Sequence, residues 1–120
     1  MAKILYIEDY PAAALTMDYV LSELGHQCVT AANGKAALDA YAREPFDMVL
    51  IDTQLPDMDG PDVSKILRQW EKDHRRKPSV FIGFSADTKG SEASHVSGMD
   101  GFALKSLSLN DVKRLLEEYL

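Results

Sequence analysis

Short apolar runs alternate along the chain with longer stretches in which apolar residues recur every three or four positions. Ile4-Leu5-Tyr6-Ile7 is a run of the first kind and stops abruptly at Glu8-Asp9. Ala14, Met17, Leu21 and Leu24 follow at helical spacing, and Gly25 supplies the stop. Gln27 to Ala31, with Val29 and Thr30, reads as a second strand. Asn33-Gly34 turns the chain into a helix over Ala36 to Arg43, with Ala37, Leu38, Tyr41 and Ala42 on one face, and Pro45 ends it. Met48-Val49-Leu50-Ile51 is apolar on both faces, as a central parallel strand must be, and it too ends in an acid, Asp52. A third helix follows Gly60-Pro61, with Val63, Ile66, Leu67 and Trp70 as its inner stripe. Val80 to Phe84 is a fourth strand and Phe102-Ala103-Leu104 a shorter fifth. A final helix opens at Ser108 and carries Leu109, Val112, Leu115, Leu116 and Tyr119.

Five strands alternating with five helical stretches predict an α/β fold, a single doubly wound parallel sheet over 1–120 with helices on both faces. One stretch fits this pattern poorly. Asp87 to Ser97 has only Ala93 and Val96 to bury and weak helix propensity, and is expected to be the least ordered part of the domain.

Composition narrows the picture. With 46% apolar and 27% charged residues in 120, the chain has the make-up of one globular domain. Its one cysteine, Cys28, excludes an internal disulfide framework and reads as a small buried hydrophobe. There is no run of eighteen apolar residues and no cationic-then-apolar leader, so a cytoplasmic domain without membrane contact is expected. A net charge of −6 argues against direct binding to nucleic acid or anionic lipid. The charge is uneven: residues 65–77 hold six basic and two acidic residues, leaving seven basic and seventeen acidic elsewhere. That run reads as a solvated helix end that complements the helix dipole. His26, His74 and His95 share no ligand spacing.

In open α/β sheets, sites form outside the carboxyl ends of the strands. This rule brings together Glu8 and Asp9 after the first strand, Asp52 after the third, Ser85 after the fourth and Lys105 after the fifth. Three converging carboxylates repel one another unless a cation sits among them, and hard oxygen donors suit Mg²⁺ or Mn²⁺ rather than zinc. A lysine and a hydroxyl across the same cleft suit phosphoryl oxygens. Phosphoryl transfer needs such positioning and charge neutralisation more than acid–base chemistry. Asp57 and Asp59, beyond Pro56, read as solvated turn carboxylates, and Asp47 lies at the opposite end of the third strand.

Here the chain resembles the receiver domains of two-component response regulators. The residues that carry the resemblance are Glu8-Asp9, Asp52 with Leu55-Pro56-Asp57-Met58-Asp59-Gly60, Ser85-Ala86, and Gly98-Met99-Asp100-Gly101-Phe102 leading to Lys105. The resemblance implies a flavodoxin-like strand order of 2-1-3-4-5. It implies that Asp52 accepts a phosphoryl group from the phosphohistidine of a histidine kinase or histidine phosphotransfer domain. It also implies that Asp9 and Asp52 ligate Mg²⁺, that Glu8 acts through water, and that the backbone carbonyl of Gln54 completes the metal site. Lys105 and Ser85 would then take phosphoryl oxygens, and Phe102 would occupy an aromatic switch position. Such a domain is not an enzyme in its own right, although it can dephosphorylate itself.

Two features depart from the family. Ser106 stands where a proline usually follows the lysine, and a cis bond there would cost roughly 3–4 kcal/mol. The Asp87–Ser97 stretch is poor in helix formers. The basic stretch from Trp70 to Pro78 is similar to receivers attached to hybrid histidine kinases, so the chain is expected to be either a stand-alone receiver or one domain of a larger protein. Three rival readings stand beside this one. In a flavodoxin-like cofactor carrier, Glu8-Asp9 would repel the phosphate. For an aspartyl-phosphate phosphatase, Asp52-Thr53-Gln54 lacks the second acid. The third is a receiver-shaped interaction module that is never phosphorylated.

Overall fold

The computed structural model describes residues 1–52, 55–85, 98–104 and 108–120, and of Ser85 the backbone alone. Its elements are β1 (Lys3–Ile7), α1 (Pro11–Glu23), β2 (Gln27–Ala31), α2 (Gly34–Arg43), β3 (Met48–Asp52), α3 (Gly60–His74), β4 (Val80–Ser85), β5 (Gly101–Leu104) and α4 (Leu109–Tyr119). The five strands form one sheet in the order β2-β1-β3-β4-β5, with every neighbouring pair parallel. The expected doubly wound order is therefore met. Asp87–Ser97 and the Lys105–Ser106 bond lie outside the described residues.

Strand side chains alternate between two faces, and each face has its own core. Leu5, Ile7, Val49, Ile51 and Phe81 pack against Ala37 and Tyr41 of α2 and Val63 and Leu67 of α3. Ile4, Tyr6, Met48, Leu50, Ile82 and Phe84 pack against Met17, Val20 and Leu21 of α1 and Val112 and Leu116 of α4. Each such buried apolar side chain contributes about 1.5–3 kcal/mol. Three stripe assignments shift at their edges: Ile66, Leu109 and Ala42 are exposed. The helices are a little narrower on their buried side than an unbroken 3–4 spacing implies. Cys28 is half-buried rather than buried; burial pushes its thiol up to about 12, with the Asp18 charge adding to the effect, so it is inert at neutral pH.

Helix ends follow from local chemistry. Gly25, at φ 86°, closes α1 by donating its N–H to Ser22 at 3.0 Å, while His26 N–H reaches Leu21 at 2.9 Å. Pro11 and Pro61 occupy first-turn positions of α1 and α3, where no N–H is needed. Asn33 caps α2 through Ala36 N–H at 2.8 Å, and Ser108 caps α4 through Asp111 N–H at 3.2 Å.

The basic run does something other than solvate a helix end. Glu71, only 3% exposed, accepts hydrogen bonds from the Tyr41 hydroxyl, from Ser79 N–H at 3.1 Å and from Arg68 Nη1 at 2.9 Å. The Arg68 guanidinium lies 3.6 Å from the Phe81 ring centroid and also donates to Ser79 O, Gly98 O and the Asp100 carboxylate, each at 2.9 Å. Asp100 in turn accepts from Phe81 N–H at 2.8 Å, which sets the entry to β5. Arg76 donates to the carbonyls of Tyr41, Ala42 and Glu44, closing the end of α2 rather than that of its own helix. Charge counting along the sequence could not separate these two arginines from their solvated neighbours Lys65, Lys72, Arg75 and Lys77.

Two outcomes are expected from this cluster. Arg68→Met should destabilise the fold by about 3 kcal/mol, the low end for breaking a buried pair, because Tyr41 and Ser79 still donate to Glu71. Urea unfolding measures it. Burial and the hydrogen bond to Glu71 push the Tyr41 phenol from 10.0 up to about 12. The unfolded chain therefore ionises first, so this stabilisation is complete below pH 10 and is lost as pH rises from 10 to about 12. Unfolding free energies across that window should fall by an amount on the order of 2 kcal/mol, and less steeply in Tyr41→Phe.

Candidate functional site

The register of β1 against β3 pairs Tyr6 with Leu50 and Ile7 with Ile51, so the next residues along, Glu8 and Asp52, emerge side by side. Asp52 is still within β3 and pairs with Phe84 of β4, which fixes its backbone from that side too. Glu8 is tied to β2 by its N–H to Ala31 O at 2.9 Å. Asp9 follows on the short turn into α1, which Pro11 starts three residues after Glu8. One carboxylate oxygen from each of Glu8, Asp9 and Asp52 lies within 4.8 Å of the others. Glu8 is 2% exposed and Asp52 8%, while Asp9 is open to solvent.

Beneath this cluster stands Tyr6. It is two residues before Glu8 and so shares its face of β1, and its hydroxyl donates to Glu8 Oε1 at 3.4 Å. Its ring meets Phe84 edge to face at 6.2 Å. Burial raises the Tyr6 phenol far above its ordinary value, and the Glu8 and Asp52 charges add to this, so it stays a neutral donor. The carboxylates repel one another at this separation, and partial burial strengthens the repulsion. An all-carboxylate donor set with one open flank fits a hard divalent cation that keeps several waters, Mg²⁺ or Mn²⁺. It offers none of the sulfur or imidazole donors of a zinc site.

Of the residues singled out in the sequence, the structure thus brings Glu8, Asp9 and Asp52 together. Ser85 follows the Phe84 that pairs with Asp52, and its backbone pairs with Leu104; its side chain, Gln54 and Lys105 lie outside the described residues. Phe102 is half-buried on β5, opposite Gly83, which sets no side chain beside it. Tyr6 is an addition to the residues the sequence points to, readable from its two-residue offset to Glu8. Asp57 is exposed, as a turn carboxylate is expected to be, and it also accepts the N–H groups of Gly34 at 2.8 Å and Lys35 at 3.2 Å. Those backbone hydrogen bonds, led by Gly34, hold its carboxyl below the usual range. Nothing in its own sequence neighbourhood marks so distant a partner. Asp59 precedes α3 and makes no side-chain cap.

Comparison with known proteins identifies the family and agrees with the fold. The sequence profile of the response regulator receiver domain matches residues 4–117. The sensor histidine kinase GacS of Pseudomonas protegens is 34% identical over 108 residues, which cover 88% of this chain and 12% of that protein. A response regulator receiver domain from Methylobacillus flagellatus is 30% identical, covers 100% of this chain and 99% of its own, and superposes with a TM-score of 0.87. The response regulator TrrA of Thermotoga maritima, solved in complex with Mg²⁺-BeF, is 25% identical over 100% of both chains, with a TM-score of 0.86.

Because a cation relieves the repulsion in the folded state, Mg²⁺ at ten times its dissociation constant should raise the melting temperature by about 5 °C. Asp9→Ala should remove most of that gain. A melting temperature indifferent to millimolar Mg²⁺ would refute the metal site.

Proposed function

The chain belongs to the response regulator receiver domain family of two-component signalling, and from that premise we propose that Asp52 is its phosphoacceptor. The observation that carries this reading is the meeting of Glu8, Asp9 and Asp52 at the carboxyl ends of β1 and β3. Among the three, Asp52 alone lies within a strand, its backbone paired with Phe84 of β4, and this favours it as the group whose line of attack is held.

The donor is a phosphohistidine on a histidine kinase or histidine phosphotransfer domain. A carboxylate oxygen of Asp52 forms the new O–P bond as the N–P bond to the imidazole breaks, and the imidazole nitrogen keeps the bonding pair. Mg²⁺, when bound, neutralises equatorial phosphoryl oxygens as charge builds on them. Asp9 and Asp52 would hold it directly, with Glu8 acting through water and the Gln54 backbone carbonyl completing the set. Tyr6 keeps the Glu8 carboxylate turned toward the cluster. Lys105 and Ser85 take the remaining phosphoryl oxygens, and Phe102 reports their engagement by repacking. Hydrolysis of the acyl phosphate by water at the same place would end the signal. The chain matches 12% of the length of GacS, and we place it, like the receiver of a hybrid histidine kinase, beside such a donor in the cytoplasm.

Incubation with acetyl phosphate and Mg²⁺, followed by intact mass measurement, tests the assignment. Wild type should gain one phosphoryl group and Asp52→Asn none. Equal incorporation in the variant would move the acceptor elsewhere. An unmodified wild type would instead favour a receiver-shaped interaction module that is never phosphorylated.

A further inference from the structure

Tyr6 is fully buried, in a core it shares with Met17, Val20 and Leu21 of α1 and with Leu50 and Phe84. The Phe84 ring meets it edge to face at 6.2 Å, and in so closely packed a place the phenol has little room to swing. Among the described buried residues of that core, Tyr6 alone carries a hydroxyl. A phenylalanine would fill the same space, and it would bring in no polar group. The hydroxyl is the costly part, because a buried O–H must find an acceptor. Its acceptor is Glu8 Oε1 at 3.4 Å, and Glu8 is itself buried. A bond of that length aims the carboxylate more than it neutralises it. Burial also raises the phenol far above its ordinary value, so it remains a donor at neutral pH.

Glu8 is one of the three carboxylates that each bring an oxygen within 4.8 Å of the others. A cation bound there would meet a Glu8 whose two oxygens are not equivalent. To grip the ion with both, Glu8 would have to draw Oε1 away from the hydroxyl and leave a buried donor without its acceptor. That penalty falls unequally on the common divalent cations. Ca²⁺ takes roughly six to eight oxygens at about 2.3–2.6 Å, and it often holds a carboxylate by both of its oxygens. Mg²⁺ is octahedral at about 2.0–2.1 Å and keeps several waters, so one oxygen from Glu8 is enough for it.

We propose that Tyr6 sets the ion preference of the acidic cluster: by holding Glu8 Oε1 it confines Glu8 to a one-oxygen role, which favours Mg²⁺ over Ca²⁺. The inference rests on the reading of Glu8, Asp9 and Asp52 as the metal site. Tyr6 touches no ion on this account. It is a positioning residue that acts through Glu8, and groups hydrogen-bonded to a metal's ligands commonly contribute tenfold or more to its affinity. Packing supplies the selectivity, since the core fixes the ring and the ring fixes where the donor stands.

The test loads the intact chain with Mn²⁺, follows the free ion by paramagnetic resonance, and displaces it with Mg²⁺ or with Ca²⁺. The readout is the ratio of the two displacing concentrations. Wild type should need several times more Ca²⁺ than Mg²⁺. Tyr6→Phe keeps the ring and loses the hydroxyl, and it should move the ratio about tenfold toward Ca²⁺. Val20→Ala is the matched control, since it takes volume from the same core and leaves the hydroxyl in place. It should lower the melting temperature and leave the ratio within about twofold of wild type. An unchanged ratio in Tyr6→Phe would overturn the proposal. So would an equal shift in Val20→Ala, because the effect would then belong to core stability. The wild type alone also decides, should the phenylalanine variant fold poorly: Ca²⁺ displacing Mn²⁺ as readily as Mg²⁺ would overturn the proposal and leave the metal site standing. A wild type that binds no Mn²⁺ would overturn the metal-site reading itself, and this inference with it.

Discussion

The site depends on the parallel register between β1 and β3. Leu5 faces Val49 and Ile7 faces Ile51 in one core, while Tyr6 faces Leu50 in the other, and all six side chains are fully buried. A slip by one residue would turn each of them to the opposite face and break both cores at once. Burial on both faces thus locks the register far more firmly than the ladder hydrogen bonds could alone. Once it is locked, the first polar residues past the strand ends have no choice of neighbour. Glu8 arrives beside Asp52 because Ile7 is beside Ile51. The repulsion among the carboxylates is imposed by apolar packing some residues away.

The same sheet holds its remaining acidic burden differently at its other end. Glu71 is buried near the start of β4, and its charge is met by Arg68 one turn earlier on the same helix, with Tyr41 and Ser79 completing its bonds. Arg68 reaches on to Gly98 and Asp100, and Asp100 sets the first contact of β5 with β4. The strand that leads through Phe102 toward Lys105 therefore takes its starting point from a charge cluster on α3. Such a cluster commonly adds no more to stability than a well-packed apolar replacement, but losing one partner is costly. Its value here is that it specifies where β5 begins.

These two clusters explain what was legible in the sequence and what was not. The strands were readable because burial on both faces demands unbroken apolar runs, and Met48–Ile51 leaves no other reading. Glu8, Asp9 and Asp52 were readable because an acid at the end of such a run stands out against it. Glu71 and Arg68 were not, since both sit in a helix among charges of either sign, and one-dimensional charge carries no information on which side chain finds a partner across the fold. Asp57 is solvated, as turn carboxylates ordinarily are, but its bonds to α2 were hidden for a related reason: they reach amides of a helix that begins more than twenty residues earlier. Ile66 and Leu109 were over-read, because helical spacing marks a stripe without marking its width.

The contrast between the two ends also bears on what the domain can do. Glu71 is met by a guanidinium of its own helix and by two further donors that the fold holds in place. Glu8, Asp9 and Asp52 instead bring one carboxylate oxygen each within 4.8 Å of the others at the carboxyl ends of β1 and β3. Under the proposed cation site, part of the charge neutralisation at that end would be separable from folding. On the proposed reading of Asp52 as acceptor, that separation is useful, because the charge there would rise when the group arrives and fall when it leaves. A resident arginine in the position of the cation would hold the empty site and the phosphorylated one to nearly the same energy as the fold itself. On the proposed reading, a weakly held ion would instead let the balance between the two states be set by the partner.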